Sequence, residues 1–143
     1  MPDNFRITAE RMRDSSKLLH ENNHFHNSCY FAGYVCECYL KIIVENSGIT
    51  RRLFGAGGYN HNLLNLNTDL QYAITSGSTI PAGFKTFLID IAVDCASIIS
   101  SWNPNSRYDD TSGWDQAKSN QFQVEMEKCF NQVADMYISN VIL

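Results

Sequence analysis

Apolar residues, with one small serine among them, recur along the first stretch of the chain at alternating intervals of four and three: Phe5, Ala9, Met12, Ser16 and Leu19. This spacing places them on one face of a helix that starts at Asp3 or Thr8 and runs to Glu21. Glu10, Arg11, Arg13, Asp14 and Lys17 fall on its wet face. Asn22 and Asn23 mark a short turn, with Asn23 suited to cap the next helix. That helix, His24 to Val44, is apolar on nearly all sides and must be wrapped by others. Its second half holds two charges, Glu37 and Lys41, which share a face. Such a pair either reaches solvent at the bundle edge or needs partners. Gly33 costs about 1 kcal/mol against alanine in a helix interior, so its presence implies close packing. Asn46-Ser47-Gly48 closes the helix, with Gly48 fit for the left-handed cap position.

Residues 49–59 form a first long loop with Arg51, Arg52, Gly55, Gly57 and Gly58. It reads as a flexible connector, or as a backbone cradle for an anion, although no lysine-serine pair follows as in a P-loop. A third helix begins at Asn60 as N-cap with His61 just inside. Leu63, Leu64, Leu66, Leu70 and Ile74 form its apolar side, and Ser76-Gly77-Ser78 ends it. A fourth begins at Pro81 and carries the most regular seam, Phe84, Leu88, Ile91, Cys95, Ile98 and Trp102. A second long loop, Asn103 to Trp114, leads to a fifth helix that opens on the capping-box pattern Ser112-x-x-Asp115. Its seam is Phe122, Met126, Cys129, Val133 and Met136. No strand-like alternation competes. The pattern predicts an all-α, antiparallel up-and-down bundle of about five helices in a single domain over 1–143. In such a bundle the two long loops and His61 lie at the same end.

A chain of 143 residues can bury a real core without staples. The formal net charge of −4 argues against wholesale duplex binding, which favours a basic footprint. No apolar run reaches a membrane-spanning length, and Met-Pro-Asp-Asn-Phe-Arg holds no signal-peptide core. The five cysteines (Cys29, Cys36, Cys38, Cys95 and Cys129) all fall within predicted helices. They imply free, buried thiols in a reducing compartment, and so a cytoplasmic protein. Cys36 and Cys38 point to different helix faces and make no zinc half-site. His20 and His24 have helical zinc spacing, but the Asn22-Asn23 turn spoils the register. No metal and no cofactor is expected. There is no serine elbow, dinucleotide fingerprint or paired-carboxylate signature.

The polar residues best placed for chemistry are Glu37, Lys41, His61, Arg107 and Tyr108. They admit two readings. In one, Glu37 accepts a bidentate pair from Arg107 and His61 bridges loop to helix, pinning the second loop in place. In the other, Arg107 and Lys41 contact the phosphate of a nucleotide or RNA, and Tyr108 or Trp102 stacks on a base.

Four pieces, in order and spacing, resemble the HEPN family of helical modules. They are Ala32 to Lys41 (A-G-Y-V-C-E-C-Y-L-K), His61 to Leu66 (H-N-L-L-N-L), the apolar fourth helix, and Ser106 to Asp109 (S-R-Y-D). The resemblance implies a helical bundle, usually dimeric. Its members include metal-independent endoribonucleases with an arginine-polar-x(3–5)-histidine motif acting across the dimer. Others bind nucleotides, partner small nucleotidyltransferases or serve as scaffolds, some in toxin–antitoxin or defence settings. No histidine follows His61, so the ribonuclease motif is missing from its usual place. Arg13 and His20 form a near-match, but in the first helix and with Asp14 as the second residue. The resemblance therefore implies a non-catalytic module that binds a nucleotide, RNA or a partner protein. A divergent ribonuclease and a purely structural dimerisation module are the competing readings.

Overall fold

The computed structural model describes residues 4–46, 62–75 and 80–142. Among these every regular element is helical. The α-helices are α1 (Phe5–Glu21), α2 (Phe25–Asn46), α3 (Leu63–Thr75), α4 (Ile91–Asp94), α5 (Ala96–Ser101) and α6 (Gln116–Ile138). Short 3₁₀ helices cover Ala82–Phe87, Pro104–Tyr108 and Thr111–Gly113. No described helix is long and apolar enough to cross a membrane.

Helix α1 starts where Asn4 accepts a hydrogen bond from the Ile7 amide at 3.0 Å. It stops at a tight reversal. The His24 amide donates to Leu19 and the Asn23 amide to His20, at 2.8 and 3.1 Å. Asn23 sits at φ 64. This is a Schellman ending, with asparagine in the left-handed position. Asn23 therefore terminates α1 and is not the N-cap of α2. Helix α6 ends the same way, with Asn140 at φ 59 and the Val141 amide bonded to the Met136 carbonyl.

Paired contacts fix the directions of the helices. Ser16 meets Ser28 near the reversal, and Lys41 lies over the Phe5 ring at the far end, so α1 and α2 are antiparallel. His20 meets Ser119, Arg13 meets Glu127, and Arg6 covers Tyr137, so α1 and α6 are antiparallel as well. Helices α2 and α6 thus run parallel, with Ser28 beside Gln123 and Cys36 near Cys129. These two helices supply many of the largest fully buried side chains, among them Tyr39, Leu40, Ile43, Phe122, Met126 and Met136.

The segment from residue 80 to 115 differs most from expectation. Its seam is buried as predicted at Phe84, Ile91, Cys95, Ile98 and Trp102, but it is not one helix. It is a 3₁₀ turn, an extended step at residues 88–90, and the two short helices α4 and α5. Buried polar side chains from three other helices take up the backbone groups that the breaks release. Tyr39 donates its hydroxyl to the Phe87 carbonyl at 3.0 Å and accepts from the Ile89 amide at 2.8 Å. Asn67 donates to Asp90 at 2.8 Å and accepts from the Ile91 amide at 3.3 Å, while Asp90 caps α4. Glu125 accepts from the Ile98 amide at 2.9 Å and from Gln121 at 2.7 Å.

Details of the helix starts and faces add to this. Asn62 accepts from the Asn65 amide at the start of α3, while Asn60, the expected cap, lies outside the described residues. Leu64 and Ile74 face outward there, while Asn67 and Ala73 face in. Asp115, not Ser112, caps α6. The capping box in this region belongs to Asn103 and Ser106. Arg13, expected on the wet face, is half-buried in a two-point pair with Glu127.

Candidate functional site

The broken segment runs backward along α2. Residues 87–89 meet Tyr39, Cys95 meets Cys36, Trp102 meets Gly33 and Tyr30, and Ser106 and Thr111 meet His26. The turn that carries Arg107 is therefore delivered to the N-terminal half of α2. Asn46, where α2 ends, lies 16 residues beyond Tyr30, about 24 Å along the helix at 1.5 Å per residue. The Arg107 turn thus packs far from the C-terminal end of α2, contrary to the expected shared end. His61 and the Arg51–Gly58 loop lie outside the described residues.

Two tethers hold the turn. Trp102 is 5% exposed, and its indole N–H donates to the Tyr30 carbonyl at 2.8 Å. The ring lies so close to Gly33 that a Cβ there would stand 2.2 Å from it. That contact is the reason for the helix-interior glycine, and it removes Trp102 as a stacking surface for a base. Second, the His26 ring lies parallel to Trp114 at 5.3 Å, and its Nε2 reaches the Ser106 carbonyl at 2.6 Å. Lys118 covers the Trp114 ring at 4.0 Å.

Arg107 itself is exposed. Its Nη2 donates to the Tyr108 hydroxyl at 2.7 Å. Its guanidinium lies 4.8 Å from the Tyr108 ring centre and 5.9 Å from that of Tyr30. The Tyr108 hydroxyl, first among its neighbours, raises the Arg107 pKa further, so it stays charged. Among the described residues Arg107 makes no ion pair within 4.0 Å. The Glu37–Arg107 clasp is not formed. Glu37 is paired with Lys41 at 3.5 Å and is buried, with Lys41 closing over it.

Tyr34 connects the two groups. It contacts Trp102 edge-on at 5.0 Å and shares a hydroxyl contact with Tyr30 at 3.1 Å. Its pKa is raised, first by burial, then by the Tyr30 hydroxyl and the charge of Glu37, while Arg107 opposes the rise. Tyr30, Tyr34, Glu37 and Lys41 thus form a line up one edge of α2. The predicted set divides into a charge pair, Glu37 with Lys41, and an exposed cation–aromatic group, Arg107 with Tyr108 and Tyr30. Their spacing on α2, Tyr30 to Lys41, is about 16 Å at 1.5 Å per residue.

Known proteins add no constraint. No protein-family model, curated protein or solved structure matches this chain.

Sequence reasoning overlooked Tyr30 and Tyr34, although their four-residue spacing beside Gly33 was visible. It also overlooked a thiol cluster. All five cysteines are free and buried, as expected, but Cys36, Cys95 and Cys129 bring their sulfurs within 4.8 Å of one another. Their contacts cross three elements, which no local spacing reveals. Burial pushes the separate thiols of Cys29 and Cys38 up to about 12. The Arg13–His20 near-match is spent on packing, Arg13 on Glu127 and Phe130, and His20 on Ser119 and Phe25. A separate groove of about 450 Å³ lies between Gln71, Ile80, Lys85 and Ile89.

Proposed function

We propose that this chain is a non-catalytic, HEPN-like helical module that binds single-stranded RNA or a nucleotide through Arg107 and Tyr108. The observation that carries the reading is an exposed arginine held in place by two tyrosines and by no carboxylate among the described residues. Arginine on an aromatic face is weakly hydrated, and the donors not spent on the Tyr108 hydroxyl remain for phosphate. Tyr108, 73% exposed, offers a ring for a base. The turn is rigidly tethered by Trp102 and His26, so little ordering is required on binding. The Glu37–Lys41 pair is a structural element in this reading, since its charges cancel in a buried setting.

Fluorescence anisotropy with a labelled single-stranded RNA tests the proposal. Tyr108→Ala is expected to weaken binding by about 1–3 kcal/mol, the worth of one stacked base. Arg107→Ala is expected to weaken it too and to lower the salt-dependence slope by about one. Equal affinities for all three proteins would refute the assignment. Absence of binding by the unaltered chain would redirect the reading to a protein partner, such as a nucleotidyltransferase subunit or a second copy of the chain.

A further inference from the structure

The thiol cluster stands apart from the Arg107 face. Cys36 comes from the middle of α2, Cys129 from α6, and Cys95 from the break between α4 and α5. Cys95 and Cys129 sulfurs are 3.6 Å apart, and Cys36 lies within 4.8 Å of both. Each is fully buried. We propose that Cys36, Cys95 and Cys129 form a three-coordinate thiolate site for a soft monovalent cation, with Cu(I) as the defining probe.

Four observations support this. Convergence is the first: three sulfurs from three elements point at one volume, whereas Cys29 and Cys38, also buried, belong to no such cluster. The second is backbone geometry. The helical seam is interrupted at Cys95 itself, at φ −131 and ψ 44, and Glu125 supports the break by taking the Ile98 amide. An unbroken helix would satisfy that amide without help. The third is coordination number. The cluster holds no fourth histidine, cysteine or carboxylate among the described residues, and both Glu125 oxygens are already engaged. Structural zinc takes four ligands in a tetrahedron, while soft sulfur ligands select Cu(I). The fourth is charge. Glu125 and Asp94 place negative charge beside Cys95, which favours a cation there, and the Lys128 amine, 3.3 Å from the Asp94 carbonyl, offsets part of it. Loading moves no electron. Cu(I) bonds the sulfurs, and each thiol that becomes a thiolate releases its proton to solvent.

The test is anaerobic titration of the reduced full chain with Cu(I) against a chromophoric chelator. One equivalent is expected to bind, with a near-ultraviolet sulfur-to-copper band and a higher melting midpoint. Cys95→Ala is expected to lower the affinity by more than about 100-fold, beyond the cost of losing an outer-shell partner. The Cys29→Ala, Cys38→Ala double variant is expected to bind as the unaltered protein does. X-ray absorption on the loaded, unaltered chain supplies a readout that needs no variant, with three sulfur neighbours expected. Failure to compete with the chelator would overturn the proposal. So would a spectrum with fewer than three sulfurs, or binding that survives Cys95→Ala and is lost in the double variant. Tetrahedral loading by zinc in preference to Cu(I) would overturn the choice of cation.

Discussion

Gly33 shows how one residue sets the position of another. Alanine has the better helix propensity by about 1 kcal/mol. Here the added methyl would fall within the Trp102 ring, which is buried and tethered to Tyr30. Overpacking of this kind costs about 1–3 kcal/mol. Gly33→Ala is therefore expected to lower stability in urea unfolding despite its propensity gain, and an increase would contradict the packing described. Single residues also set the response to alkali. Burial raises Cys29 and Cys38 from an ordinary 9.0 to about 12 in the folded chain. A thiol raised on folding leaves stability intact below its unfolded value and removes it as pH climbs toward the folded one. The melting midpoint is expected to fall between pH 9 and 12, and the Cys29→Ala, Cys38→Ala variant to fall less steeply over the same window.

At the scale of elements, periodicity identified which residues are buried better than it identified what shape the chain takes. Helices α1, α2 and α6 follow their patterns, because each presents a continuous face to the other two. The fourth stretch has an equally regular seam, yet it breaks near Leu88 and at Cys95. Local spacing cannot register this, since the compensating groups, Tyr39, Asn67 and Glu125, lie far off in sequence. Glu125→Ala would leave the buried Ile98 amide without its acceptor, at a cost of about 1–3 kcal/mol. Glu125→Gln keeps an acceptor at that place and is expected to recover most of the loss. Equal destabilisation by both substitutions, measured by chemical denaturation, would show that charge rather than the amide contact matters.

At the scale of the molecule, the same break explains why the candidate site was only half legible. Arg107 and Tyr108 were recognised from their residue types, and both stand exposed. Their surroundings depended on chain direction. The 80–115 segment runs against α2, so Arg107 meets Tyr30 and not Glu37. An ideal five-helix alternation gives the opposite direction and predicts the clasp. Trp102, the last residue of the predicted seam, is buried as that seam requires, and because Gly33 admits its ring it anchors the turn and offers no face to a base.

The most direct test of the central claim is a thermal-shift comparison of the unaltered chain and Arg107→Ala with a short single-stranded RNA. A ligand at a hundred times its Kd adds about 2.7 kcal/mol, which is roughly 10 °C for a domain of this size. The account predicts such a rise in the unaltered protein, its loss in Arg107→Ala, and matching midpoints for the two without RNA. An equal rise in both proteins, or a lower midpoint of the RNA-free variant, would contradict it, because Arg107 would then be a structural residue and not the binding one.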